Sequence, residues 1–337
     1  MRTMIESYSA PESIEAAADI FNSEENAIYI AGGTDLVPLM NRGLKLANCL
    51  IDLDQIASLK KIERTEDGIF IGAMTTLSAL KENSLIDKYL SPLSHAAGWA
   101  ASPQIRNMGT IGGNVLQERR CLYFNQSAFW RENVAPCYKL GGDVCHQIPG
   151  SKTCRAIYYS DLAPMLLAYN TRARYYNGEA YEEMMLEDLI RTRLNWDFKK
   201  QLLTGFIIPS PIEGTIGKFL KYSDRGSIDF ASSNIGIVFA AGDRKDEKPA
   251  IRIFAGAVSP EPVRLIETEN TILQSLPDAL SRKDKIIGTG IKELESRASL
   301  IRETGVSIRS KKTSLLIVAE ALRAFLPQLC AVHAATQ

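Results

Sequence analysis

The first apolar pattern along the chain is helical. Ile14, Ala17, Ala18 and Phe21 recur at three- and four-residue steps within Pro11 to Phe21, with Ser9 as a candidate cap. A short apolar strand follows, Ala27-Ile28-Tyr29-Ile30-Ala31, running into Gly32-Gly33-Thr34-Asp35 and a helical stretch from Leu36 to Arg42. Cys49 to Leu53 is a second strand, so residues 1–55 read as strand, glycine turn, helix, strand. Gly68 to Ala73 predicts another strand, then a helix capped by Thr75 or Thr76, and Ser91 to Trp99 reads as helix. Ile157 to Tyr169 holds a turn at Ser160-Asp161 before an apolar run. Ala173 to Tyr176 leads into Asn177-Gly178, a hairpin signal. Leu202 to Ile208 is a strand closed by Pro209-Ser210-Pro211, which places a boundary there. Beyond it, Ile216 to Tyr222, Asn234 to Ala241 and Ile251 to Val258 alternate as strands, with a charged turn at Gly242 to Asp246, and residues after about 262 are mostly helical. The chain therefore divides into 1–55, 56–211 and 212–337.

Composition narrows the function classes. The 39 basic and 39 acidic residues balance, which gives no nucleic-acid or membrane surface. No apolar run approaches the roughly 20 residues that span a bilayer, and the N-terminal Met1 to Glu6 lacks the apolar core of a signal peptide. The expected compartment is the cytoplasm, where structural disulfides are disfavoured. Four of the six cysteines, Cys121, Cys137, Cys145 and Cys154, fall within 34 residues at spacings of 15, 7 and 8. That is neither a zinc-ribbon nor a ferredoxin pattern, so spacing alone names no metal. Cys49 and Cys330 lie far away in apolar contexts and read as core.

Two glycine turns carry candidate chemistry. In Ala31-Gly32-Gly33-Thr34-Asp35 and in Thr110-Ile111-Gly112-Gly113-Asn114, adjacent glycines let backbone N–H groups approach a ligand closely. A helix N-terminus beside them favours an anion such as a pyrophosphate. Neither is the GxGxxG of a dinucleotide fold, and Gly-Gly alone also marks ordinary tight turns.

Taken together with later segments, the turns resemble the flavoprotein subunit of the xanthine dehydrogenase family of molybdenum enzymes. The first turn resembles that family's AGGTDL signature. Arg106 to Asn114 resembles its R-N-x-x-T/S-x-G-G-N signature, and Ser160-Asp161-Leu162-Ala163-Pro164 its S-D-L-x-P segment. Phe219 to Arg225 with Asp229-Phe230-Ala231, and Ala255 to Pro260 with Pro262-Val263-Arg264, resemble two later segments in the expected order. The resemblance implies an α+β fold: a two-subdomain FAD-binding domain of the molybdopterin dehydrogenase and vanillyl-alcohol-oxidase-like type, covered by a C-terminal domain with a small antiparallel sheet and helices. It implies non-covalent FAD. Ala31, Gly32, Gly33, Thr34, Asp35 and Leu36 would hold the pyrophosphate through backbone N–H groups, with Ile30 also at the cofactor, and Thr110, Gly113, Asn114 and Gln117 would continue the cradle. Asp161 would face the adenosine, Leu202 and Leu203 would pack near the adenine, and Lys221 would approach the isoalloxazine. Ala100 and Ala101 would contact the cofactor, Ala100 standing where some relatives carry an aromatic residue.

Residues 119–155 interrupt the flavin motif and contain all four clustered cysteines. This resembles the β subunit of 4-hydroxybenzoyl-CoA reductase, which implies that Cys121, Cys137, Cys145 and Cys154 ligate a [4Fe–4S] cluster. Six basic residues against Glu132 and Asp143 would offset its negative charge, or would form a solvated face. A structural zinc site, disulfides or incidental cysteines are the alternatives, and His146 reads as a neighbour rather than a ligand. The implied partners are a molybdopterin-binding large subunit and a [2Fe–2S] small subunit in a duplicated heterotrimer, with ferredoxin as donor. Substrate chemistry would lie on the large subunit. Other readings are a molybdenum hydroxylase of a purine, N-heterocycle or other aromatic substrate, and a stand-alone flavin- or zinc-binding interaction protein.

Overall fold

Three sheets in chain order organise the molecule. The computed structural model describes residues 5–192, 201–211, 214–225, 228–242, 248–299, 301 and 312–336; the charged turn expected at 243–246 lies outside them. The first sheet is parallel, in the order β1 (Ser7–Ser9), β3 (Cys49–Asp52), β2 (Ala27–Ile30), with helices α1 (Ile14–Ser23) and α2 (Leu36–Asn41) between its strands. Helix α1 starts later than its apolar spacing suggested. Ser13, not Ser9, is the cap, its hydroxyl accepting from Ala16 N at 3.1 Å, while Ser9 pairs in β1. Ile14, Ala17, Ala18 and Phe21 bury the expected face against Cys49 and Ile51.

The second sheet is antiparallel, ordered β4 (Ile62–Thr65), β5 (Gly68–Gly72), β8 (Leu202–Ile208), β6 (Arg172–Tyr176), β7 (Tyr181–Met185). All seven residues of the central β8 are buried, which explains a strand that reads as a continuous apolar run. Between β5 and β6 lie α3 (Leu77–Glu82), α4 (Ser84–Trp99), α5 (Pro103–Met108), α6 (Ile111–Leu116), α7 (Ala128–Glu132) and α8 (Ala163–Ala168); α9 (Leu186–Thr192) follows β7. Thr76 caps α3 by accepting from Ala79 N. Helix α4 begins seven residues before the expected start. Asn83 Oδ1 accepts from Leu85 N and Ile86 N, and the helix bends at Leu90 ahead of Pro92.

The third sheet is antiparallel, ordered β12 (Val263–Arg264), β11 (Ala250–Gly256), β10 (Ser233–Ala240), β9 (Ile216–Tyr222). Helices α10 (Ile266–Leu273), α11 (Lys283–Arg297) and the C-terminal helix Ile317–Thr336 share a core with it, while α8 of the preceding unit packs on β10 and β11. One point corrects the sequence reading. The stretch Lys312–Ala335 is long and apolar enough, by length and composition, to cross a membrane. Here Val318, Ala321, Leu322, Phe325, Leu326 and Leu329 are instead packed into the core against the sheet.

Candidate functional site

A cavity of about 450 Å³ opens between the first sheet, β8 and the start of α6, where Gly112 and Gly113 lie in the first turn of a helix capped by Thr110 rather than in the separate glycine turn expected from the sequence. Its volume is in the range of small-molecule and cofactor sites. The first turn supplies Ala31, Gly32, Gly33, Thr34, Asp35 and Leu36; α6 and its capping residues supply Thr110, Gly113 and Gln117; β8 supplies Leu202 and Leu203. The first turn packs on the end of α5 only because Gly32 lacks a side chain: a Cβ there would stand 1.6 Å from the Met108 carbonyl oxygen. Gly33 takes a left-handed φ of 68°, the conformation glycine adopts without steric cost. Among the described residues, the backbone N–H groups of Gly33, Thr34 and Asp35 have no protein acceptor and border the cavity. That is the donor set a pyrophosphate requires. Asp35 precedes α2 without capping it, because its carboxylate accepts from Glu118 N at 3.0 Å and Arg120 Nη2 at 2.9 Å.

Other expected contacts are placed differently. Gly113 N–H is already taken by the Thr110 hydroxyl at 3.0 Å. Asn114 lies outside the lining; its Oδ1 accepts from Ser160 Oγ at 2.6 Å and Leu162 N, tying α6 to the S-D-L segment. Ile30 lies behind the turn, in the small core with Met40 and Leu50. Ala100 is buried and Ala101 takes a left-handed φ of 46°, held by Arg106 Nη1, which donates to both carbonyls at 3.1 and 2.9 Å. Neither alanine lines the cavity.

Asp161 and Lys221 are brought into direct contact. Lys221 Nζ donates to Asp161 Oδ2 at 2.9 Å and to the Trp99 carbonyl at 3.0 Å, and both side chains are nearly sealed from solvent. Burial pushes the Asp161 carboxyl up, opposed by Lys221 and by Asn234, whose Nδ2 donates at 3.1 Å. The pair joins the second unit to the third-sheet unit, a contact that the sequence reading of Asp161 and Lys221 did not include. Sequence reasoning missed Phe21 and Tyr29, stacked at 4.5 Å on the cavity wall, and Lys45 and Glu118, which also line it. Tyr29 sits two residues before the first glycine turn, which is the signal that could have found it.

The cysteine segment is rooted by a two-bond ladder, Arg120 N to Ile157 O at 2.8 Å and Ile157 N to Arg120 O at 3.0 Å. From that root it brings Cys121, Cys137, Cys145 and Cys154 to one small cavity, with Tyr123, Phe124, Tyr138, Lys139, His146 and Arg155 around them. All four thiols are unbridged. No three His, Cys, Asp or Glu side chains among the described residues converge closely enough to hold one ion. Burial pushes the Cys121 thiol up, against donation from the backbone of Phe124 and Tyr123. Two of the basic residues, Arg119 and Lys139, turn inward, while Lys152 is exposed. Arg119 is 6% exposed and its Nε is unpartnered, as is that of Arg120. Lys139 is buried against Glu118, and Arg131 donates to the Gly43 carbonyl. His146 bonds the Ala135 carbonyl at 2.8 Å and packs against Tyr123 and Trp130.

A glycine-walled cavity of this kind, set between a small parallel sheet and an antiparallel one, is suited to a nucleotide cofactor in an α+β protein. Residues 3–211 match the family described as the FAD binding domain in molybdopterin dehydrogenase, and the chain belongs to it. It is 29% identical over 255 residues to the aldehyde oxidoreductase FAD-binding subunit PaoB of Escherichia coli (strain K12), covering 71% of this chain and 77% of that one. Over 298 residues it is 24% identical to the xanthine dehydrogenase FAD-binding subunit of Escherichia coli O157:H7, 87% of each chain. With the 6-hydroxypseudooxynicotine dehydrogenase complex subunit alpha of Paenarthrobacter nicotinovorans, identity is 38% over 109 residues, and the chain spans only 37% of that relative's length. The fold is that of a chain of carbon monoxide dehydrogenase from Oligotropha carboxidovorans (TM-score 0.71, 21% identity, 97% of this chain and 100% of that one). It is equally that of a chain of quinoline 2-oxidoreductase from Pseudomonas putida 86 (TM-score 0.70, 18% identity, 99% and 100%).

Proposed function

We propose that this chain is the FAD- and [4Fe–4S]-carrying electron-transfer subunit of a 4-hydroxybenzoyl-CoA reductase-like molybdenum enzyme. The observation that carries the reading is the gathering of Cys121, Cys137, Cys145 and Cys154 on one cavity within a chain of a flavin-binding family. Four thiols are a complete ligand set for a cubane cluster. The basic residues that line the thiol cavity, Lys139 and Arg155, suit an anionic cluster.

FAD, when bound, supplies the conversion between paired and single electrons. The chain's own residues do the holding. The N–H groups of Gly33, Thr34 and Asp35 receive the pyrophosphate, Phe21, Tyr29, Leu202 and Leu203 offer apolar wall for the adenine, and Gln117 is fixed by its bond to the Asn114 carbonyl at 2.7 Å. The subunit would work in the reducing cytoplasm with a molybdopterin-binding large subunit and a [2Fe–2S] small subunit, the heterotrimer duplicated, taking electrons from ferredoxin. Purifying the native assembly and assaying ferredoxin-dependent conversion of 4-hydroxybenzoyl-CoA to benzoyl-CoA tests this. Three subunit types and that activity are the expected result. Turnover confined to a purine or N-heterocycle would replace the substrate assignment, and a flavin-free, zinc-loaded monomer would overturn the whole reading.

A further inference from the structure

Glu118 and Lys139 stand between the two cavities. Glu118 lines the flavin cavity and Lys139 lines the thiol cavity. Lys139 Nζ donates to Glu118 Oε1 at 2.8 Å and to the Arg119 carbonyl at 2.7 Å, with side-chain exposures of 8% for the lysine and 18% for the glutamate. The ammonium lies 4.1 Å from the ring centroid of Phe124, which also faces the thiols. On the other side, Lys45, a residue of the flavin cavity wall, approaches Glu118 Oε2 at 3.6 Å. A single ion pair thus has its cation against one candidate redox site and its anion against the other. Sheltered from water, each charge acts on its own site with little screening.

We propose that the Glu118–Lys139 pair is the electrostatic bridge between the two sites, fixing how the driving force for electron transfer is divided between the thiol-bound cluster and the flavin. The inference rests on the cluster reading above. A four-thiolate cluster gains negative charge on reduction, so the Lys139 cation favours its reduced state and the Glu118 carboxylate disfavours it. The two residues therefore act on the cluster with opposite sign. A purely structural role would make both substitutions err in the same direction, toward loss of cluster or flavin.

The test is a redox titration of the purified native assembly. It follows flavin absorbance and the iron–sulfur electron paramagnetic resonance signal that a Cys137→Ser assembly lacks. Lys139→Met is expected to lower the equilibrium constant for cluster reduction about tenfold, a shift of about 59 mV for a one-electron couple. Glu118→Gln is expected to raise it by a similar factor and to raise the flavin potential with it. Lys139→Arg should hold the wild-type value to within about threefold, since it keeps the charge. Shifts of the same sign in Lys139→Met and Glu118→Gln, or no shift in either, would overturn the inference. If Lys139→Met does not assemble, Glu118→Gln decides alone: an unchanged or lowered cluster potential overturns it. A wild type without the signal refutes the cluster reading, whereas a wild-type signal with unmoved potentials refutes this inference only.

Discussion

The flavin cavity and the thiol cavity are built on opposite plans. The first is made of backbone: the Gly32-Gly33 turn and the glycine-bearing start of α6, with Gly32 packed against the Met108 carbonyl at the end of α5. The second is made of side chains. Its four cysteines come from a segment holding one short helix, Ala128–Glu132, and a 3-10 turn, Tyr138–Leu140, closed at its root by the Arg120–Ile157 ladder. A backbone site is held by the sheets behind it and accepts few changes at its glycines. A side-chain site keeps its shape through ion pairs and through whatever the thiols bind. The two are not separate, because Asp35 of the first turn grips the root of the second segment.

That contrast can be broken in graded ways. The largest effect is expected at Gly32→Ala. Its Cβ would collide with backbone rather than a movable side chain, so a loss of about 4 kcal/mol or more and a flavin-free product are expected. Flavin-to-protein ratio and unfolding midpoint measure this, and a stable, fully flavinated variant would show that the first turn does not pack on α5 as described. Next is Asp161→Ala, which strands the nearly sealed Lys221 cation. About 3–5 kcal/mol of stability should go, read in denaturant unfolding, and a change under 1 kcal/mol would mean the pair is solvated.

Smaller effects sharpen the link between regions. Arg120→Met removes the side-chain half of the grip on Asp35, a charge-assisted bond worth about 1.5–3 kcal/mol. Flavin dissociation constants should rise about tenfold in fluorescence titrations of deflavinated protein; an unchanged constant would make the regions independent. The smallest effect concerns acid. Burial alone would raise the Glu118 carboxyl, but Lys139 and Lys45 outweigh it and hold the group below the ordinary carboxylate range. A carboxyl depressed in the folded state stabilises above the unfolded value of about 4.3 and loses that contribution as pH falls through the lower folded value. Glu118→Gln should therefore flatten the acid limb of the stability curve below about pH 4.5. An acid limb as steep as wild type would remove Glu118 from the account.

The same contrast explains what the sequence made legible. Strand β8 was read residue for residue, since a seven-residue buried run admits little else. The Gly32-Gly33 turn is legible because its information is local, whereas Gly112 and Gly113 fold into α6, whose cap at Thr110 the Gly-Gly signal hides. The start of α1 was misplaced because Ser9 and Ser13 are both credible caps, and only pairing of Ser9 in β1 removes one. The contact of Asp161 with Lys221 is not legible in the sequence because 60 residues separate them and the packing of α8 against the third sheet brings them together. The cysteines could be counted, but their shared cavity could not, and the inward direction of Arg119 and Lys139 is a property of the fold rather than of composition.

The central claim is that one chain holds a flavin and a four-thiolate cluster in adjoining sites. Iron, acid-labile sulfide, zinc and flavin should be determined on the native assembly and on its Cys137→Ser counterpart, with paramagnetic resonance of both. The account predicts four fewer iron and sulfide atoms per copy of this chain in the variant, loss of one signal, no zinc, and flavin largely retained, because the cavity-lining residues of the first glycine turn and of α6 lie outside the cysteine segment. Equal iron in both proteins with every signal kept, or one zinc lost with the cysteine, would contradict it.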